Sequence, residues 1–471
     1  MSTILDKISK PYLKLCFTVL IVSYLAIAFL FSYEDIVSYT TWSVNFWDLL
    51  FQGRIGEFYA YAQENLRQAP FEGFCGSYLT IFPWILWNFP LYLTHPFSKS
   101  ITVDSMPCIL WSKLLLIVCI LGIGVFSYKI VKDIFKLEEE QAWMTVLLSI
   151  GGYEIIDSTV YAGQDEVIYV FLFLVSLYLL LRGSMKGFLI GSCMSVTVCP
   201  IMLIPFLAAF LIYEKNIVKI SFGTAFTLIP SLLFEIAYRN DDIYQRTKEI
   251  NTSGVFECMM NGDLVGTALG SVSLVGVALV ILFFVCYVTE KEEKDMEKGF
   301  FLIYAISISF FIICFMAPFN VFYRFGIYAP FWAVLVVLKK TRMNMNVFLM
   351  TIISYGRAFC SFGYSPNPEL ILTQNWNSKF LMAEVLSGLD GKIKMRATSE
   401  MISSTLGDKY FTALFMARTV IFAGALILLS INRKRSDEQF CISIPYRFSM
   451  FIYICSSIVA LIAFGIGVWI R

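Results

Sequence analysis

The stretch LCFTVLIVSYLAIAFLF, residues 15–31, carries no charged side chain and follows three lysines, Lys7, Lys10 and Lys14. As an α-helix it would extend about 25 Å, close to the ~30 Å hydrocarbon core of a bilayer. No small-residue cleavage site precedes the acidic residue Glu34, so the stretch differs from a secretory signal peptide. We therefore predict that it is a retained first membrane span.

The rest of the chain repeats this character. Hydrophobic residues make up 58% of the 471 residues and charged residues 15%, whereas a soluble domain carries about a quarter charged residues. The net charge of +1 gives no reason to expect a nucleic-acid partner, and 12 scattered cysteines with one histidine exclude an all-His or Cys2His2 zinc site. Composition thus predicts an all-α, polytopic membrane protein surrounded by lipid.

Further apolar runs of span length follow. They lie at 109–128, 142–160, 167–181, 187–213, 220–237, 265–288, 300–316, 325–338, 347–363, 411–431 and 449–470. Pro200 and Pro205 interrupt the run 187–213, which is either one span or two short helices that meet at Cys199 and Pro200. The expected fold is a transmembrane helical bundle of about 11–13 spans.

Clusters of lysine and arginine between the runs set the expected orientation, because positive charge is retained on the cytoplasmic side. If 187–213 forms two spans, all the clusters fall on the side of the N-terminus. They are Lys7/Lys10/Lys14, Lys129/Lys132/Lys136, Arg182/Lys186, Lys215/Lys219, Lys291/Lys294/Lys298, Lys339/Lys340/Arg342 and Arg433/Lys434/Arg435. We predict a cytoplasmic N-terminus, with the long segments 33–108, 238–264 and 364–410 on the outer face.

The first outer segment has its own pattern. Residues 41–51 and 55–66 show the apolar spacing of helices with polar residues between, which suits interfacial helices. The apolar run 78–93 is interrupted by Pro83 and Pro90, and a full crossing there would disturb the charge pattern. We predict that it is re-entrant or interfacial.

Two adjacent acids, Glu34 and Asp35, follow the first span. A carboxylate at the outer boundary of the membrane can act as a general base if a partly desolvated cleft brings it to an acceptor hydroxyl. The alternative is that both are solvated residues at the end of a helix.

A second acidic group comprises Glu154 and Asp157, followed by Gln164, Asp165 and Glu166. Acids at membrane depth are costly and mark functional sites by default. The alternative is structural: Gln164 or Asp165 caps the next helix, and Glu166 occupies its favourable first turn.

Two arginines, Arg324 and Arg357, lie at the start of one predicted span and inside another. Either guanidinium can bind a phosphate through two parallel hydrogen bonds. Arg324 can instead extend to lipid headgroups, and Arg357 can pair with Glu154 or Glu235. Trp42 belongs to an aromatic group that is typical of an interfacial belt, with sugar stacking as the alternative.

Three short motifs connect these residues. The first motif is the acid after the first span, with Asp35-x3-Tyr39-x2-Trp42 and then residues 53–59. The second is residues 161–166, followed by Arg182-Gly183 and Lys186-Gly187 before the proline-broken hairpin. The third is residues 318–330, which contain a Pro, a Tyr-Arg pair and a second Pro. Together they resemble the integral-membrane glycosyltransferases of the GT-C class, in particular the bacterial polyprenyl-phosphate-sugar-dependent, mannosyltransferase-like group, glycosyltransferase family eighty-seven. The likeness covers roughly residues 14–335.

The resemblance implies a GT-C-like catalytic module over 1–340 and a C-terminal transmembrane region over 341–471, in a bacterial plasma membrane. It implies an inverting hexosyltransferase that uses a polyprenyl-phosphate sugar donor and a glycan or lipid-linked acceptor at the outer face. Asp35, or else Glu34, would be the base. Arg324 and Arg357 would bind the donor phosphate, and the substrates would contact Asp157, Gln164, Asp165, Glu166 and Trp42.

The sequence departs from the family pattern at 198–201, where the hairpin lacks the usual lysine near its proline. No ligand set for a metal is evident, and since some members of the class use a divalent metal, that question stays open. The rival functions are a flippase, an envelope polysaccharide polymerase and an ion or solute transporter. A polymerase would use arginines in late loops such as 364–410, which contains Arg396.

Overall fold

The structure is a computed structural model. It describes residues 10–30, 34–60, 79–94, 106–161, 163–248, 264–267, 270–289, 295–317, 326–361, 407–433 and 444–469. Side-chain positions are described for most of these residues, but those of Glu34 and Asp35 are not.

The described residues are mostly helical. The α-helices are α1 (Pro11–Leu30), α2 (Glu34–Phe51), α3 (Phe82–Trp87), α4 (Phe89–Thr94), α5 (Met106–Lys129), α6 (Glu139–Ile150), α7 (Tyr153–Ile156), α8 (Glu166–Leu181), α9 (Met185–Val198), α10 (Leu203–Tyr213), α11 (Ile217–Tyr238), α12 (Asp242–Lys248), α13 (Leu274–Val288), α14 (Asp295–Phe311), α15 (Ala329–Val337), α16 (Met343–Ser361), α17 (Asp408–Ile431) and α18 (Tyr446–Trp469). Short π-helical segments continue three of them at Ile130–Ile134, Asp157–Tyr161 and Ile312–Met316. The prediction of an all-α bundle is confirmed in this coarse sense.

Five helical segments among the described residues are long and apolar enough to cross a membrane: Pro11–Phe29, Pro107–Ile134, Ile217–Tyr238, Glu297–Met316 and Lys409–Ile431. Shorter apolar helices are Glu166–Leu181, Met185–Val198, Pro200–Tyr213, Leu274–Val288, Gly326–Val337 and Tyr446–Val459. These helices support a membrane protein. The exact number of crossings and their direction stay predictions.

Of the two alternatives for the run 187–213, the structure shows a helix that is broken at Pro200. Helix α9 ends at Val198, a 3-10 turn runs over Pro200–Met202, and α10 begins at Leu203. The run 78–93 forms α3 and α4, which are six residues each and meet at Asn88. Each is therefore about 9 Å long, far shorter than a membrane crossing.

Two of the predicted runs have a different structure. The first part of 265–288 pairs as an antiparallel hairpin of β1 (Leu264–Thr267) and β2 (Gly270–Ser273), and only α13 remains of the expected helix. Gly270 has a φ of +102°, a conformation that favours glycine and turns over helix. The run 142–160 is not continuous either, because α6 ends at Ile150 and a new start follows at α7.

The chain divides into two compact units. Unit 1 comprises Met1–Glu34, Ile117–Glu166 and Phe322–Arg471, and unit 2 comprises Asp35–Leu116 and Val167–Val321. In unit 1, α16 packs against both α17 and α18, α15 packs against α6, and α1 packs against α18. In unit 2, α10 packs against α13 and α14, and α9 packs against α11.

Three consecutive glutamates at the start of α6 bind lysine, arginine and tyrosine side chains from other segments of unit 1. Glu138 contacts Lys340 at 2.7 Å, and Glu139 contacts Lys132 at 3.3 Å. Glu140 accepts a hydrogen bond from the Tyr12 hydroxyl at 2.7 Å. It also contacts Lys10 at 3.9 Å and Arg447 at 3.5 Å, and accepts a bond from Tyr446 at 3.0 Å. Basic residues from four separate chain segments thus contact the glutamates at the start of α6.

Candidate functional site

The predicted base lies at the start of α2. Glu34 and Asp35 are the first two residues of this helix, directly after α1. The positive end of a helix macrodipole favours carboxylates at this position. Their side chains lie outside the described residues, as does Arg324, so their roles stay predictions.

The buried acids of unit 1 are tied into the fold. Glu154 is 4% exposed. One of its carboxyl oxygens accepts a hydrogen bond from the Tyr328 hydroxyl at 3.1 Å, and the other accepts one from Ser354 Oγ at 2.8 Å. Both oxygens are therefore occupied by donors from α15's leading turn and from α16, which compensates the cost of burial.

The break between α6 and α7 lies directly before Glu154. The backbone N–H of Tyr153 donates to the hydroxyl oxygens of Ser354 and Ser456, each at 3.0 Å. A Cβ atom on Gly152 would meet the Tyr453 hydroxyl and lie 2.7 Å from the Glu154 carboxyl. Only glycine fits there, so α18 can approach the site closely.

Arg357 belongs to the same cluster. Asp157 is 5% exposed and Arg357 is 7% exposed, and the guanidinium charge acts on the carboxyls of both Asp157 and Glu154. Glu154, one of the two partners considered above, is thus within the electrostatic reach of Arg357. The other candidate partner, Glu235, lies in unit 2 and accepts a hydrogen bond from Tyr244 at 2.9 Å.

The Gly-Gln turn follows the cluster directly. Gly163 has a φ of +69°, and the backbone N–H of Gln164 donates to the Ser158 carbonyl at 3.0 Å. Gln164, Asp165 and Glu166 are all buried, and Glu166 lies in the first turn of α8. The helix-start interpretation of Glu166 agrees with this position, and burial shows that none of the three is a simple solvated residue.

The aromatic group around Trp42 packs inside unit 2. Trp42 is 5% exposed and meets Tyr39 edge to face at 5.9 Å. Tyr39 stacks on Trp84 at 5.4 Å with an interplanar angle of 8°. Trp42 and Trp84 therefore contribute to the core of this unit, and the structure gives Trp42 little surface for stacking on a sugar.

A chain of polar side chains fixes α2 against its neighbours. Thr40 Oγ1 donates to Ser112 Oγ at 2.8 Å, and Ser112 Oγ donates to the side-chain Oδ1 of Asn88 at 3.2 Å. The Asn88 amide then donates to Ser43 Oγ at 2.8 Å. We call these four buried residues the hydroxyl–amide network; it joins α2, the α3–α4 segment and α5.

Sequence reasoning missed Lys113. This lysine follows Ser112 on α5 and is 1% exposed. The signal was present, because an ionisable side chain inside an apolar run of span length is a functional candidate by default.

Trp84 carries a buried hydrogen-bond donor. Its indole Nε1 is fully buried, and no acceptor among the described residues lies within hydrogen-bond distance. By contrast, Trp47 donates to the Ile85 carbonyl at 2.7 Å and Trp87 to the Trp111 carbonyl at 2.8 Å. Buried indole N–H groups normally find such a partner.

No group of three or more His, Cys, Asp or Glu side chains that could hold a metal ion occurs within the described ranges. Comparisons of the chain with protein-family models, curated proteins and solved structures find no match. The likeness to the GT-C class therefore rests on the three sequence motifs alone.

Proposed function

We propose that this chain is a membrane glycosyltransferase. It moves a sugar from a polyprenyl-phosphate-linked donor to a hydroxyl of a glycan or lipid-linked acceptor, with inversion, at the outer face of a bacterial plasma membrane. The observation that supports it most is the placement of Glu34 and Asp35 at the first turn of α2, immediately after the membrane helix α1.

The anchoring of α2 supports this role. A catalytic base must be held within a fraction of an ångström of its working position. The hydroxyl–amide network holds Thr40 and Ser43, and the Trp47 indole is bonded to the Ile85 carbonyl. Helix α2 is thus fixed at three points along its length, which suits a scaffold for a base at its start.

The chemistry follows from a single displacement. Asp35 removes the proton of the acceptor hydroxyl while the acceptor oxygen forms a bond to the anomeric carbon. The bond between that carbon and the phosphate oxygen breaks, and its electron pair leaves with the polyprenyl phosphate. Positive charge near the leaving phosphate would stabilise the transition state.

The decisive experiment replaces Asp35 by Asn. Sugar transfer from a polyprenyl-phosphate sugar is measured in membrane vesicles that contain equal amounts of each variant. We expect transfer to fall by about 10²–10⁴-fold, the usual contribution of a general base. Asp48→Asn is the matched control, because it removes the same charge from the same helix within one turn of its other end. Full activity of Asp35→Asn would reject Asp35, and Glu34→Gln then tests the neighbouring acid.

A transporter is the second candidate, because Glu154, Asp157 and Arg357 form a buried charged cluster in unit 1. Such clusters also occur along proton and ion pathways. Proteoliposomes separate the two functions. Transport of an ion or solute that is lost in Glu154→Gln but retained in Asp35→Asn would favour the transporter.

A further inference from the structure

We infer that one end of unit 1 binds the headgroups of anionic phospholipids. Six cationic side chains from four stretches of the chain form the surface, which we call the basic rim: Lys10, Lys14, Lys132, Lys136, Lys340 and Arg447. None of them belongs to the proposed catalytic site, and the inference does not depend on the proposed function.

The glutamates at the start of α6 bring the rim together. Residues 138–140 contact Lys340 at 2.7 Å, Lys132 at 3.3 Å, Arg447 at 3.5 Å and Lys10 at 3.9 Å. Of these four cationic side chains, between 37% and 71% of the surface is exposed. The rim is therefore a shared surface that a ligand can reach.

Positive charge is in excess at this surface. The described segments 10–14, 128–140, 339–344 and 446–447 carry nine basic side chains and four acidic ones. Ion pairs between exposed side chains are weak, and an ammonium group has three hydrogen-bond donors. The glutamates therefore position the rim without neutralising it, and a phosphate can bind beside them.

The rim also lies where apolar helix surface begins. Lys14 is exposed and precedes Leu15, which is 52% exposed, and Arg447 precedes Phe448, which is 58% exposed. Helix α1 is long and apolar enough to cross a membrane. Lipid tails would cover its exposed apolar side chains, so the cations at its start lie at the level of the headgroups.

The backbone at Lys136 is a separate indication. Its φ is +54°, and it is the one residue other than glycine with a positive φ within the described ranges. Glycine adopts this conformation without steric cost, whereas lysine does not. The Lys136 side chain is exposed, so packing does not explain why a lysine stands here. A charge that contacts lipid does explain it.

An anionic phospholipid has the chemistry that this surface requires. Its phosphate accepts hydrogen bonds from ammonium and guanidinium groups, and its tails cover the adjoining apolar helices. Attraction to an anionic leaflet strengthens with each lysine or arginine near the membrane surface. The rim thus holds this end of unit 1 at the headgroups of the leaflet that we predict to be cytoplasmic.

Lipid selectivity in nanodiscs tests the inference. The full-length protein is placed in phosphatidylcholine nanodiscs that contain traces of spin-labelled phosphatidylglycerol or spin-labelled phosphatidylcholine, and the association of each probe with the protein is measured. The wild type should prefer phosphatidylglycerol. In Lys14→Gln/Lys136→Gln this preference should fall about fivefold for each lost charge, and Lys14→Arg/Lys136→Arg should retain it. Salt at about 1 M should remove it from the wild type.

A second double variant is the matched control. Arg239→Gln/Lys409→Gln also removes two exposed cations. Lys409 lies in the first turn of α17, about 33 Å along the helix from Ile431, and Arg239 belongs to unit 2. This control should keep the preference of the wild type. An equal loss in both double variants would indicate a general charge effect and overturn the site, as would a wild type without any preference.

Lys136→Gly separates lipid binding from the stability of the fold. It relieves the backbone conformation, so its apparent Tm in phosphatidylcholine nanodiscs should lie a few degrees above that of Lys136→Gln. Both variants should lose the same share of the preference for phosphatidylglycerol. If Lys136→Gly retains the full preference, Lys136 does not contact anionic lipid.

Discussion

Two buried polar side chains, Glu154 in unit 1 and Trp84 in unit 2, differ in how their hydrogen-bonding groups are satisfied. In unit 1, both oxygens of Glu154 accept hydrogen bonds from Tyr328 and Ser354, and Arg357 supplies the opposite charge. In unit 2, the indole Nε1 of Trp84 is fully buried. The Glu154 carboxyl is satisfied within the protein, whereas the Trp84 N–H is a buried donor with no acceptor among the described residues.

This difference predicts how the fold responds when each group is removed. A satisfied cluster specifies one packing arrangement and loses stability when any member is removed. A donor without a partner lowers stability, so its removal is tolerated by the fold. The same criterion favours a structural role for Arg357. Arg324 and Arg357 both remain candidates for binding the donor phosphate.

The largest effect on stability is expected for Glu154→Leu. This change leaves the hydroxyls of Tyr328 and Ser354 without their acceptor and Arg357 with one carboxyl fewer. A buried donor that loses its acceptor costs about 1–3 kcal/mol, and two donors are affected here. The apparent Tm in detergent should fall by about 5–10 °C, while Glu297→Gln, at an exposed position, leaves it unchanged. An unaltered Tm for Glu154→Leu would mean that the cluster does not stabilise unit 1.

Gly152→Ala should have the next largest effect. Its new methyl group would collide with the Tyr453 hydroxyl and the Glu154 carboxyl, and overpacking of this kind costs about 1–3 kcal/mol. Gly56→Ala is the control, since no atom lies within 4 Å of the added carbon. Thermal unfolding of the two variants side by side decides whether close packing at the helix break stabilises the unit.

Trp84 and Trp87 should differ in how much stability is lost when each is replaced by Phe. Trp87→Phe loses a bond to the Trp111 carbonyl and should cost about 1 kcal/mol. Trp84→Phe loses no hydrogen bond and keeps an aromatic ring against Tyr39, so its Tm should lie closer to that of the wild type. The opposite order of Tm values would show that the Trp84 N–H is satisfied within the protein.

The smallest expected effect is the pH dependence of the stabilisation that Glu140 contributes. Burial alone would raise the pKa of this carboxyl, but bonds from Tyr12 and Tyr446 and the charges of Arg447 and Lys10 together lower it below the usual value of 4.5. The stabilisation is therefore complete above about pH 5 and is lost as the pH falls through the lowered pKa. Comparison of wild type and Glu140→Gln from pH 7 downward should show a gap below about 1 kcal/mol that closes in acid. A gap that widens in acid would reverse the assigned direction.

Helix positions were largely predictable from the sequence, because apolar length alone identifies a membrane helix. The break at Pro200 was predictable for the same kind of local reason, since proline lacks the N–H that a helix needs. The break at Gly151 and Gly152 also has a local signal, the Gly-Gly pair, whereas the close approach of Tyr453, about 300 residues away in the chain, could not be predicted. The hairpin at 264–273 was hidden by its own apolar composition, although Gly270 signalled a turn.

The candidate site was predictable only in part. An acid after the first span and buried acids at 154–166 are visible as residue types in an apolar chain. Their partners are not, since Tyr328 and Ser354 lie 174 and 200 residues from Glu154. The Trp84 N–H is a property of packing: nothing in the sequence distinguishes it from the paired indoles of Trp47 and Trp87.

Helix α1 is synthesised long before α18, the helix against which it packs. Its Ser23 hydroxyl meets that of Ser457 on α18 at 3.0 Å, and these residues are 434 positions apart. At the usual translation speed of about 5–20 residues per second, the first helix stays in the bilayer for roughly 20–90 s before its partner is made. During that interval its polar face is open to other helices emerging from the translocon, so a membrane insertase or chaperone that shields α1 would raise the yield of correctly assembled protein.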